Sequence, residues 1–82
     1  MKTADRSPVR ATDIPEEWIE LVGEIIRRDG QAMRAGAGCC IEVQSINTGE
    51  FQPMGLPAGG TAFVNQAERD LVLERLIGRA TP

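Results

Sequence analysis

Two adjacent thiols, Cys39 and Cys40, are the side chains of this sequence best suited to chemistry. A thiolate can act as a nucleophile, a soft-metal ligand or half of a redox pair. The surrounding residues supply little help for any of these. Neighbours on a strand point to opposite faces, so the pair cannot grip one metal ion in regular geometry. The chain has no His and no third Cys to complete a donor set, so neither a metal site nor a bound cofactor is expected. A bridge between neighbours closes a strained ring. No base or cation flanks the pair in sequence to lower a thiol pKa. Strand alternation places Cys39 in the core as a small apolar residue and Cys40 on the polar face. Cys40 is therefore the thiol that a redox-responsive regulator or thiol-dependent enzyme would use.

The other reactive constellations are weaker. Glu16, Glu20 and Glu24 recur at i,i+4, a spacing that brings carboxylates together on one helix face. On a solvated face both members stay ionised, and nothing shapes a pocket for acid–base work. The glycines around Gly36 and Gly38 precede a strand, and no helix N-terminus stands behind them to receive a phosphate. Gly59-Gly60 is followed by Thr61 to Val64 before the next helix, and the only Lys is Lys2, so a phosphate-binding lysine loop is absent. Arg27, Arg28 and Arg34, with a basic N-terminus, are the residues a nucleic-acid binder would use. A net charge of −3 opposes that reading, and nucleic acid is not an expected partner.

These residues must be held by a small set of elements. Residues 1–11 lack periodicity and contain Ser7-Pro8, which reads as a flexible tail ahead of one domain over 12–82. Asp13, Pro15 and Glu16 form a helix start, with Asp13 as the cap. Ile14, Trp18, Leu21, Val22 and Ile25 then recur at helical spacing. Ile19 and Ile26 widen that stripe to nearly half the cylinder. Gly30 is a plausible stop, but Ala32 and Met33 keep the phase, so the helix is expected to reach about Ala35. Cys39 to Ile46 alternates as a strand, Asn47-Thr48-Gly49 is a hairpin loop, and Glu50 to Gln52 returns. Pro53 cannot donate to a ladder, so that return strand is short or lies at an edge. Thr61 to Val64 is a candidate third strand. Asn65 and Glu68 have capping-box spacing for a second helix ending near Ile77 at Gly78, with Val72, Leu73, Leu76 and Ile77 facing inward. The expected fold is a small two-layer α+β domain: helix, β-hairpin, short third strand, helix, with two helices on one face of an antiparallel sheet.

With 82 residues, 41% of them hydrophobic, the chain supports one small core and is too apolar for a disordered segment. No apolar run approaches a membrane span, and the N-terminus lacks the apolar region of a signal peptide. A cytoplasmic protein with reduced thiols and no membrane partner is expected. The apolar positions outnumber what so small an interior needs. Trp18, Ile19, Ile26, Met54, Leu56 and Leu71 are the candidate partner-binding residues, Trp18 being the natural anchor. The reading that follows is a non-catalytic protein–protein interaction module, an adaptor, inhibitor or accessory subunit, that also forms a homodimer.

Overall fold

The computed structural model describes residues 8–81. Helix α1 (Glu16–Asp29) leads into three strands, β1 (Met33–Gly36), β2 (Cys40–Gln44) and β3 (Phe51–Pro53), and helix α2 (Gln66–Ala80) closes the chain. The strands form one antiparallel sheet in the order β1-β2-β3. The α+β class, the two helices and the three antiparallel strands are those the pattern predicts, but one of the strands comes from different residues.

That difference begins at Gly30. It adopts φ 67°, and its N–H donates to the Arg27 carbonyl while that of Gln31 donates to Ile26. This pair of bonds closes the helix at its last turn. The expected continuation to Ala35 is thereby corrected. Residues 33–36 pair with β2 instead, Met33 opposite Val43 and Gly36 opposite Cys40. Pairing as one more hydrogen-bonded strand is worth more to this segment than another turn of a helix already interrupted by glycine. The start of α1 also differs. Asp13 does not cap it: its Oδ2 accepts from the Arg10 amide at 3.0 Å and closes a 3₁₀ turn over Ala11–Asp13. Pro15 takes the cap position, where its missing N–H costs nothing.

The return strand, the Asn47 to Gly49 loop and the edge position of Pro53 follow the sequence pattern. Gly49 supplies the positive φ the turn needs. The candidate strand at Thr61 to Val64 reduces to a lone parallel bridge between Val9 and Phe63. Phe63 also donates its amide to the Cys39 carbonyl at 2.9 Å. Val9 and Ala11 are consequently buried, and the chain belongs to the folded unit from Val9 onward rather than from residue 12. Residues 1–7 of the expected tail lie outside the described residues. Helix α2 starts at Asn65, whose side chain accepts from the Glu68 amide. It runs through Gly78 to Ala80, so Gly78 is not its stop. Glu68 does not complete the box. Its carboxylate accepts the Ala11 amide at 2.6 Å and ties the N-terminal turn to α2.

The core gathers Val9, Ile14, Ile19, Ile41, Leu56, Phe63, Val72 and Leu76. Ile19, Ile41, Val72 and Leu76 are the most deeply covered, each contributing about 1.5–3 kcal/mol through burial. Helix α2 lies against the sheet, and α1 packs chiefly along α2. Their pairing is marked by ion pairs that rise together, Glu16 with Arg75 and Glu20 with Arg79, so the helices run in the same sense. Gly23 sits in that seam. A Cβ there would lie 2.5 Å from the Cβ of Arg79.

Candidate interaction surface

The apolar stripe of α1 is buried about a different line from the one its sequence suggests. Ile19, Gly23 and Ile26 form the covered line, with Ile19 at 1% and Ile26 at 3% exposure. Gly23 lets α2 approach closely along this line, and the ion pairs flank it. Glu16 meets Arg75 and Glu20 meets Arg79 across the seam. What remains outward is the other margin of the stripe. Trp18 and Ile25 are half-buried, and Leu21 is 62% exposed. Spaced i, i+3 and i+7, they form one ridge. Glu17, Glu24 and Arg28 are exposed on the same helix and border the ridge with charge of both signs, Glu24 being paired with Arg27.

Of the six expected partner-binding residues, Ile19, Ile26 and Leu56 are in the interior and present no side chain to a partner. Leu56 is drawn in by a compact loop in which its amide donates to the Gly60 carbonyl and its carbonyl accepts from Gly59. Trp18 and Met54 are half-buried and pack partly against the core. Leu71 is 52% exposed. It lies on α2 one turn before Arg75, which pairs with Glu16. Trp18 is about 200° around α1 from Glu16, so Trp18 and Leu71 occupy different flanks. Leu21 and Ile25, read from sequence as core members, are the residues the expected set misses. Arg75 and Arg79 on the second helix were the signal for them, since they mark which margin of α1 is covered. Ile77, expected inside, is 44% exposed, and Ile46, at the end of the strand pattern, is 65% exposed.

Cys39 packs against the core, partly as expected, but Cys40 does not stand on a polar face. Cys39 is not a strand residue: it turns the β1–β2 hairpin at φ 59° and is half-buried. Cys40 is buried, and its Sγ–H donates to the Ala37 carbonyl at 3.1 Å. The thiol expected on the polar face is thus enclosed. The reason is the turn, which inserts two positive-φ residues, Gly38 and Cys39, and starts the strand one position later. Beside it lies a residue that the sequence reading overlooked. Arg69 is 6% exposed, and its guanidinium donates to the Gly36 carbonyl at 3.0 Å and the Cys40 carbonyl at 3.2 Å, and to Asp70. It stands in phase with Val72 and Leu76, which was its signal.

The three arginines of the nucleic-acid reading do not make one basic surface. Arg27 pairs with Glu24 on α1. Arg34, on β1, pairs with Glu42 at 2.7 Å and lies over the Phe51 ring at 3.9 Å. Among the described residues there is no pocket, no group of three Cys, Asp or Glu side chains placed to hold a metal ion, and no helix long and apolar enough to cross a membrane. Every buried side-chain nitrogen or oxygen among them is hydrogen-bonded. No family model, curated protein or solved structure matches the chain.

Proposed function

We propose that this chain is a small non-catalytic interaction module that docks on a partner protein through the Trp18–Leu21–Ile25 ridge of α1. The observation that carries this reading is the 62% exposure of Leu21 between two half-buried apolar neighbours on one helix face. Its own fold turns the opposite side of α1 to α2 and leaves this margin in water. Trp18 is the residue type that most often anchors an interface, and its aliphatic neighbours suit the apolar centre of one. The charges of both signs that border it, Glu17 and Arg28 among them, set orientation more than affinity.

The test uses two charge insertions of equal chemistry. Leu21→Glu places a carboxylate on the ridge, and Ile46→Glu places one at an equally exposed apolar site away from the helix. Both variants keep their far-UV and near-UV circular dichroism, because neither side chain is in the core. In capture from native cells, Leu21→Glu loses the co-purifying partner and Ile46→Glu retains it. Retention of every partner by Leu21→Glu contradicts the proposal.

A further inference from the structure

The sheet has two edges, and they are not equivalent. Hydrogen bonds in an antiparallel pair join directly opposite residues at alternate positions. The Gln44 amide donates to the Ala32 carbonyl at 2.9 Å, so in the register of β1 and β2 the bonded pairs are Ala32–Gln44, Arg34–Glu42 and Gly36–Cys40. The backbone groups of Met33 and Ala35 therefore point away from β2, out of the sheet. On the other side, Met54 donates to Ile41 and Ser45 to Glu50, so Phe51 and Pro53 point outward from β3. Pro53 has no N–H to offer, and the β3 edge is blocked. The β1 edge carries no proline. Its one charge, Arg34, is drawn back across the sheet onto Glu42 and Phe51, so the usual charged guard of an edge strand is withdrawn.

We infer that the β1 edge pairs antiparallel with the β1 edge of a second copy of this chain, about a two-fold axis at Ala35. This rests on the reading of the chain as an interaction module but uses a surface separate from α1. Charge selects the register. An axis at Arg34 sets two guanidinium-bearing residues face to face, which is unfavourable. An axis at Ala35 sets Arg34 of each copy against Gly36 of the other. Over that glycine lies Glu42, since a Cβ on Gly36 would stand 2.6 Å from the Glu42 Cγ and 2.8 Å from its Cδ. Each cation then gains a carboxylate across the axis, and the edge is complementary to itself. Because β3 is blocked, pairing stops at two copies and gives a closed dimer rather than a fibre. An edge of four residues buries far less than a standard interface of about 1,600 Å², so the dimer is weak and concentration-dependent.

The experiment joins sedimentation over a concentration series with amide hydrogen exchange, on the wild-type chain and on Ala35→Pro. The Ala35 amide has no partner in its own sheet, so proline leaves the bonded pairs of the monomer in place while removing both central donors of the dimer. The apparent mass of the wild type climbs toward twice the monomer value with concentration, and the Met33 and Ala35 amides gain protection in parallel. Ala35→Pro associates at least about tenfold more weakly, a loss of about 1.4 kcal/mol. Should Ala35→Pro fail to fold, the concentration dependence of wild-type exchange at Met33 and Ala35 decides alone. A wild type that stays monomeric at millimolar concentration overturns the inference, as does Ala35→Pro dimerising undiminished. So does protection at Ala35 that appears only with another protein. Leu21→Glu leaves self-association intact, which separates failure of this inference from failure of the docking ridge.

Discussion

Arg69 places a positive charge where a chain of this size can least easily hold one, beneath the turn of the β1–β2 hairpin and against α2. Its guanidinium spans the carbonyls of Gly36 and Cys40, one from each strand, and so clamps the hairpin mouth to the helix. The Asp70 carboxylate balances the charge from the solvent side. Removing one partner of a buried charged hydrogen bond costs more than the bond contributes, because the remaining carbonyls lose water as well. Arg69→Met keeps the apolar stem and loses the donors. Urea unfolding of this variant is expected to show a loss of about 2–3 kcal/mol. A loss below about 0.5 kcal/mol would mean that the clamp contributes nothing beyond packing. Arg69 also shows what a pattern of apolar residues conceals, since its position carries the phase of the core and only its charge argues otherwise.

The two helices differ in how much of their packing the sequence reveals. The interior of α2 is legible in Val72 and Leu76 because its apolar face is narrow. On α1 the stripe spans nearly half the cylinder, and periodicity alone does not say which line is central. Reading the centre at Trp18–Leu21–Ile25 rather than Ile19–Gly23–Ile26 followed from that width. The seam residue, Gly23, is a point of close approach between the helices. Placing a methyl group on it collides with the Arg79 Cβ and Cγ, at 2.5 and 2.7 Å, and the first of these atoms cannot swing aside. Gly23→Ala is thus expected to destabilise the fold by about 1–3 kcal/mol, against the gain of about 1 kcal/mol that alanine has in an unconstrained helix. Thermal unfolding checks the sign, and a rise in midpoint would place the helices farther apart than described. Likewise β1 escaped the sequence reading because Ala32, Met33 and Ala35 suit a helix by propensity. Pairing with β2, a tertiary gain no local rule contains, sets their conformation. The hairpin loop, the Asn65 cap and Pro53 were legible, since each depends on one residue's own backbone chemistry.

At the scale of the whole molecule, the interior is small and fully satisfied, and the surplus of apolar side chains falls on separate surfaces. Leu21 stands on the outer margin of α1, Leu71 and Ile77 on α2, and Ile46 beyond β2. The excess was legible in composition. Its distribution was not, because that depends on which side of α1 meets α2. Half of the residues expected at an interface instead fill the core, and two of the three ridge residues, Leu21 and Ile25, were expected inside. The most direct test of the docking ridge installs a photo-activated cross-linking side chain at position 21, and, as a control, at the exposed position 74 on α2. After irradiation in native cells, position 21 forms a discrete covalent adduct with a second protein and position 74 does not. Equal labelling from the two positions, or no adduct from position 21 in a folded chain, contradicts the account.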